Sequence, residues 1–390
     1  MKVTIITSFP FPNGKATANR VRTFAEQLIT NSNIKYVDIV CCSQENNKTY
    51  FFDNNIKVIN IKSKKVNKNN YLLRGLNELT ISIKLWLNAK KTDSEIFLVT
   101  IPSILLLFPV IFFRKPKLLS LDIRDAVWTY FQDGMLQNVL QILSKSLFKL
   151  SARKVDILSV TNSYEAESVK QITKQEPMVV PNGISQSKFD ELISIPILKN
   201  SLSSKINITY IGNVGIAQEL DVLLDFSIKN KANIHVKIVG DGAITEKLKK
   251  RKHDEMIHNL EFFDPVPQEE VVNFIQDADI LFAQIGEKYS SAVPTKIFEY
   301  IASGKRTLLG LPNGPAKDIF INFKGTKIFN AGNLDSLQVA FDELVCVDLN
   351  EGDIKENLEH LNNNYIREKI VKNFIDNFDS SIKKVFKKTC

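Results

Sequence analysis

The sequence predicts an α/β protein built from two doubly wound domains that face a cleft. Three observations carry this expectation. The 390 residues exceed what a single hydrophobic core usually organises. Short apolar runs of strand length alternate with longer helical patterns along the chain, as in parallel sheets assembled from strand–helix–strand units. The alternation also begins twice, each time with a buried strand, a glycine-bearing loop and a helix. The expected domains are 1–190 and 200–370, and 371–390 reads as a C-terminal helix packing back on the first domain.

In chain order, Val3 to Thr7 is the first strand, Phe11 to Lys15 the loop that carries Gly14, and Thr17 to Thr30 the first helix. Strands follow at Tyr36 to Cys41, Lys57 to Ile61, Ile96 to Thr100, Leu118 to Leu121, Ile157 to Thr161 and Met178 to Val180. Pro196 and a stretch rich in Ser, Lys and Asn interrupt the pattern around Gln186 to Ser204, which reads as the boundary. The second series comprises Ile206 to Ile211, His235 to Val239, Leu260 to Phe263, Ile280 to Gln284, Thr307 to Gly310 and Gly325 to Phe329. In doubly wound domains ligands gather at the carboxyl ends of the strands.

With 44% hydrophobic and 24% charged residues the chain is ordinary globular protein. Its longest apolar stretch, Ile101 to Phe113, is broken by Ser103 and two prolines and falls short of the roughly 18 residues of a membrane span. Pro10, Pro12, Asn13 and Gly14 likewise break the amino-terminal apolar run, so a secretory signal is not expected. Four cysteines, two of them adjacent at Cys41 and Cys42, make no disulfide framework, and a reducing, cytoplasmic setting is expected. The charge is uneven: residues 1–200 hold 27 Lys and Arg against 16 Asp and Glu, and residues 201–390 hold 24 against 27. Lys62, Lys64, Lys65, Lys68, Arg74, Lys84, Lys90 and Lys91 form a basic stretch that suits either a solvated face or an anionic membrane surface. Without interleaved aromatics it does not suit nucleic acid.

The most specific segment is Tyr289-Ser-Ser-Ala-Val-Pro-Thr-Lys-Ile-Phe-Glu-Tyr-Ile-Ala-Ser-Gly304. A helix here brings Lys296 and Glu299 to nearly the same side. Backbone N–H groups at Ser291, Ala292 and Val293, with the lysine, make a cradle for a diphosphate, because dipole, hydrogen bonds and charge all favour an anion. Glu299 suits a ribose diol. The plain alternative is an amphipathic helix whose Lys and Glu face solvent.

Pro294-Thr-Lys-Ile-Phe-Glu299, followed by Tyr300-Ile-Ala-Ser-Gly, resembles the nucleotide-sugar motif of retaining GT-B glycosyltransferases of the family 4 type, many of them bacterial surface-polysaccharide enzymes. Val180-Pro-Asn-Gly183, Ile211-Gly-Asn-Val-Gly215, Val239-Gly-Asp-Gly242 and Ala278-Asp-Ile-Leu281 match in the family's order, so the resemblance spans nearly the whole chain. It implies two Rossmann-like domains, the first for the acceptor and the second for the nucleotide sugar. Glu299 would hold the ribose, Lys296 the diphosphate, and residues around Pro265 and Val266 the base. The loops of Gly14, Gly212, Asn213, Gly215, Gly240, Asp241 and Gly242 would complete the site. Three positions depart from the pattern. Asn213 and Gln218 stand where many relatives carry Arg and Lys, which leaves the pyrophosphate to Lys296, Gly215 amides and helix termini; Ser291 replaces a Glu that often contacts donor sugar hydroxyls.

Other motifs exclude more than they include. Gly14-Lys15-Ala16-Thr17 is no P-loop because position 9 is Phe, and the first loop lacks the glycines of a dinucleotide site. Asp277-Ala-Asp279 reads as a cap or strand edge, and no metal and no cofactor are expected. Asp122-Ile-Arg-Asp125 falls at a carboxyl-end loop of the first sheet, where Arg124 and Asp125 either touch substrate or pair with each other. His235, His253, His258 and His360 all lie in the second half, so no first-domain histidine base is available. Retention then follows if the leaving β-phosphate oxygen takes the acceptor proton, with Asp125 as the fallback base.

The expected activity is transfer of a hexosyl or N-acetylhexosaminyl group from a UDP-sugar donor to a lipid-linked or growing glycan, in the cytoplasm or peripherally at the inner face of the cell membrane. The acceptor rests on family analogy. The rivals are a sugar-nucleotide 2-epimerase of similar fold and a degenerate GT-B protein that binds nucleotide without turnover.

Overall fold

A computed structural model describes residues 1–12, 16–30, 33–44, 46–63, 71–101, 103–131, 134–195 and 205–387. Gly14, Lys64, Lys65 and Lys68 lie outside them. The chain divides into two compact units, Met1–Pro181 with Arg367–Cys390, and Asn182–Ile366.

The first unit is built on eight strands: β1 (Lys2–Thr7), β2 (Tyr36–Ser43), β3 (Lys48–Asp53), β4 (Ile56–Lys62), β5 (Ile96–Ile101), β6 (Leu118–Ile123), β7 (Ile157–Val160) and β8 (Met178–Val179). Their order is β3-β4-β2-β1-β5-β6-β7-β8, parallel throughout except for β3, which runs antiparallel along β4. Strands β5, β6 and β7 are buried at every position, which is why they read as largely apolar runs broken only by Thr100, Ser120, Asp122 and Ser159. Helices α1 (Ala16–Thr30), α2 (Tyr71–Lys90), α3 (Phe108–Phe112), α4 (Met135–Ala152) and α5 (Ser163–Thr173) cover the sheet. Cys41 and Cys42 belong to the cores on opposite faces of it, as alternation along a strand requires, and burial pushes both thiols up to about 12.

The second unit opens with α6 (Gln186–Ile193), then a six-stranded sheet of β9 (Ile206–Ile211), β10 (Ile234–Val239), β11 (Leu260–Phe263), β12 (Ile280–Gln284), β13 (Arg306–Gly310) and β14 (Thr326–Phe329). The order β11-β10-β9-β12-β13-β14 is wholly parallel. Its helices are α7 (Asp221–Lys229), α8 (Thr245–Asp254), α9 (Gln268–Asp277), α10 (Thr295–Ala302), α11 (Pro315–Phe320), α12 (Leu334–Val345) and α13 (Glu351–Asn364). The unit starts earlier than the boundary read from composition, because Phe189 and Leu192 of α6 join the core beside α10. Finally α14 (Arg367–Lys387) rejoins the first unit, where Val371, Phe374, Ile375, Phe378 and Ile382 pack in the core beside α1.

Both sheets reverse direction of winding at one point, between β1 and β5 and between β9 and β12. Loops leaving the carboxyl ends of those strands diverge there and leave a crevice, the usual place for a ligand in an open α/β sheet.

Candidate functional site

In the second unit, β9 ends at Ile211 and the chain turns through Gly212. Gly212 and Gly240 both hold positive φ, 142° and 136°, and a Cβ on Gly240 would overlap the Gly212 carbonyl oxygen. The loops after β9 and β10 therefore touch backbone to backbone, a packing open only to glycine. Val214 N–H donates to the Asp241 carbonyl at 3.0 Å and a Cβ on Gly242 would strike Val214, which extends the same seam. The exposed Asp241 carboxyl is held below its usual range by hydrogen bonds from Thr245 and the Gly242 amide.

Lys296 enters this corner from the first turn of α10. Its ammonium stands 3.9 Å from the centre of the Tyr210 ring, donates to the Ile211 carbonyl at 3.4 Å, and lies 3.0 Å from where a Cβ of Gly212 would be. Burial pulls its pKa down to about 7, with Glu299 opposing through its charge. The aromatic face and the carbonyl substitute in part for lost water. Tyr300 fixes the strand end from below: its hydroxyl accepts from Ile211 N–H at 3.0 Å and donates to the Ile211 carbonyl at 3.1 Å. Tyr210 O–H donates to the Asn213 carbonyl at 2.6 Å. Neither tyrosine stands out in the sequence, because each reads there as one more core aromatic.

Two expected donors of N–H groups are engaged elsewhere. The Gly215 amide donates to Gln218 Oε1 at 3.1 Å, and Asn213 Nδ2 donates to the same oxygen at 3.1 Å. The Ala292 amide donates to the Tyr289 carbonyl at 2.9 Å, because a turn of 3-10 helix precedes α10 and the α-helix itself begins only at Thr295. Val293 is buried in the core, while Ser291 and Ala292 are partly exposed. Gln284, at the end of β12, donates to the carbonyls of Gln218 and Glu219 and accepts from Gly332 N–H, and so ties the loop after β9 to its neighbours. The structure thus brings together Lys296, Glu299, Gly212, Asn213, Gly215, Gly240, Asp241 and Gly242. Half-buried Val266 lies beyond β11 at the sheet edge.

Asp277 and Asp279 carry structural bonds. Asp279 accepts from Asn207 N–H at the start of β9 at 2.8 Å, and Asp277 pairs with Lys237 at 3.1 Å.

In the first unit, β6 runs on to Ile123, so Asp122 lies within the strand rather than in the loop after it. It is wholly buried and binds Arg20 through two hydrogen bonds, 2.9 and 2.7 Å, with Ser159 Oγ donating at 3.0 Å. Burial pushes the Asp122 carboxyl up, yet Arg20, Arg124 and Ser159 together outweigh it and hold the pKa below the usual value. No ion pair joins Arg124 to Asp125. Arg124 Nε is buried without a hydrogen-bond partner, and burial with the Arg20 charge lowers its pKa to about 10. Asp125 accepts from Tyr130 O–H at 3.0 Å, and burial raises its carboxyl. Nearby Glu165, which the sequence shows only as a polar residue early in a helix, is buried and accepts from Thr161 N–H, Thr161 O–H and Ala126 N–H; burial pushes it up to about 8. The carboxyl end of β6 therefore presents a guanidinium whose Nε has no hydrogen-bond partner, beside two carboxyl groups of raised pKa.

Residues 199–358 match the family described as Glycosyl transferases group 1, so the second unit carries a domain of that group. No curated protein matches the chain in sequence. Among solved structures it is similar to a sucrose-phosphate synthase from Thermosynechococcus elongatus, with a TM-score of 0.78 at 11% identity over 98% of this chain and 99% of that one. A trehalose-6-phosphate protein from E. coli bound with UDP-2-fluoro glucose gives 0.73 at 11% identity over 97% and 98%. The lipopolysaccharide outer core galactosyltransferase WaaB gives 0.63 at 15% identity over 97% and 99%. At these identities the likeness is one of fold: two Rossmann-like units of the GT-B type.

Proposed function

We propose that the protein is a retaining glycosyltransferase that moves a hexosyl or N-acetylhexosaminyl group from a UDP-sugar to a hydroxyl of a lipid-linked or growing glycan in surface-polysaccharide synthesis. The observation that carries this reading is Lys296: an ammonium lodged among Tyr210, the Ile211 carbonyl and the glycine seam, at the winding reversal of a glycosyltransferase group 1 domain. A nucleotide diphosphate brought there gains a lysine already stripped of much of its water. UDP-2-fluoro glucose on a structural neighbour supports a uridine donor, and the galactosyltransferase neighbour a glycan acceptor.

In the proposed reaction the bond from the donor anomeric carbon to the β-phosphate oxygen breaks, with Lys296 balancing the charge that grows on the leaving UDP. The acceptor oxygen bonds to the anomeric carbon on the same face, and its proton passes to the β-phosphate oxygen. Arg124 and Asp125 position the acceptor; Glu299 holds the ribose. No metal and no cofactor enter this scheme.

A panel of nucleotide sugars, scored by hydrolysis and by NMR of the product anomer, tests the reading; an inverted anomeric centre refutes retention. Asp125→Asn is expected to lower turnover partially and leave the anomer unchanged, whereas loss of all activity would make Asp125 the base of an inverting reaction. Glu299→Ala is expected to weaken UDP binding about tenfold with an unchanged melting temperature, in keeping with about 1.5–3 kcal/mol for a hydrogen bond to a charged group. Unchanged affinity with a lower melting temperature would make Glu299 structural. The bonds that Gln218 makes to Asn213 and Gly215 favour one rival, a protein that binds nucleotide without turnover, and the same hydrolysis assay decides it.

A further inference from the structure

The first unit holds a cavity of about 700 Å³ at its own winding reversal, lined by Ser8 and Phe9 after β1, Ser103 and Leu105 after β5, and facing residues of α2 and α4. That volume lies within the range of about 300–1,000 Å³ typical of small-molecule sites. A sugar would need polar partners in the wall, and several of those present are committed. Ser82 Oγ donates to the Glu78 carbonyl, Ser103 Oγ to the Glu78 carboxylate and Ser144 Oγ to the Gln141 carbonyl. Glu78 also pairs with Arg74. The remaining wall is largely apolar, through Phe9, Ile81, Leu105, Val127, Leu143 and Leu147.

The cavity continues onto an exposed apolar face. Helix α4 buries Ser144, Phe148, Ser151 and Ala152 and leaves Leu136, Ile142 and Leu143 at 71, 62 and 59% exposure, so a large part of its apolar surface stays uncovered. Leu140 and Leu143 belong to both the face and the cavity wall. The helix carries Lys145 and Lys149 and no carboxylate, a charge suited to an anionic lipid surface. Gly75 in the second turn of α2 supplies an independent sign. Glycine weakens a helix, and a Cβ there would meet nothing within 4 Å, so packing in the protein alone does not require it. Its missing side chain keeps the cavity open.

We infer that this cavity receives the aliphatic chain of an amphiphile drawn from a membrane, with its polar end at the Arg74–Glu78 rim. This rests on the proposed reading of the first unit as the acceptor half. The basic stretch from Lys62 to Lys91 suits either a solvated face or an anionic membrane surface; on the second reading, the cavity and the α4 face would supply the apolar part of the contact.

The test titrates the full chain with 11-(dansylamino)undecanoic acid and follows the fluorescence. Saturable binding is expected. Gly75→Leu should weaken it at least tenfold without lowering the melting temperature, Leu143→Gln should weaken it severalfold, and Ile142→Gln, on the same face but outside the cavity, should leave it unchanged. Absence of saturable binding to the wild type, or equal affinity in the Gly75→Leu protein, overturns the inference. Equal weakening by Leu143→Gln and Ile142→Gln also overturns it, because the probe then lies on the face, where a second copy of the chain could equally dock. Should Gly75→Leu melt early, the Leu143/Ile142 pair decides. A UDP titration of the wild type in parallel judges the donor reading separately: probe binding without UDP binding keeps the chain site and sinks the transferase, and the converse does the opposite.

Discussion

At pH 8, binding of UDP draws close to one proton from solution in the wild-type protein and none in Lys296→Arg. With a pKa of about 7 the free lysine is mostly neutral at pH 8, and a diphosphate beside it restores the ammonium. The sign follows from linkage. Lys296 leaves affinity independent of pH well below 7; as pH rises through 7, affinity falls by up to about tenfold per unit until the pKa of the complex is reached. Calorimetry in two buffers of different ionisation enthalpy reads the proton directly, and uptake that persists in Lys296→Arg would assign it to another group. Lys296→Ala should reduce turnover about 10²–10³-fold and UDP affinity less, because charge on the leaving phosphate grows in the transition state. Equal losses in both would reduce the lysine to a tether.

Arg20→Ala destabilises the first unit by about 3–5 kcal/mol, because it strands the Asp122 carboxylate in the core. For a unit of this size that lowers the melting temperature by roughly 10 °C, as calorimetry or circular dichroism would show. The double substitution Arg20→Met with Asp122→Leu should cost less than either single change, since it strands neither member of the ion pair. Dependence on pH has a definite direction. The Asp122 carboxyl is held below its ordinary value, so its contribution is complete above the unfolded-chain pKa near 4 and is lost as pH falls through the lowered folded value. An Arg20→Ala protein as stable as wild type would show that the pair contributes nothing.

How much of this was legible in the sequence follows from burial. Strands hidden on both faces, such as Ile280–Gln284, are mostly apolar, so their ends fall within a residue or two of those read from the sequence. Strand β3 was missed because it lies at the sheet edge, where Lys48, Thr49 and the exposed Phe51 leave no core pattern to detect. The motif of Lys296 and Glu299 was visible because both sit on one short helix. Tyr210, 86 positions before Lys296, was not, and neither was Arg20, which reaches Asp122 across 102 positions. A buried ion pair announces itself in sequence only as a charge among apolar neighbours, and nothing local says which distant charge answers it. Likewise the Gly215 and Ala292 amides looked free, since single-residue spacing does not reveal turns that consume them.

The return of α14 to the first unit bears on how the polypeptide is made. A ribosome releases residues 1–181 long before Val371, Phe374, Ile375, Phe378 and Ile382, which complete the core around α1. Until then Phe24 lacks the ring of Phe374, 5.5 Å away in the finished protein, and Asn33 lacks the Asp379 carboxylate at 3.0 Å. Residues 182–366, by contrast, are contiguous and emerge as a whole. The half synthesised first is thus the half finished last. During translation the nascent chain carries an uncovered greasy flank on α1, a surface that invites chaperone capture and that any premature stop before residue 371 would leave permanently bare.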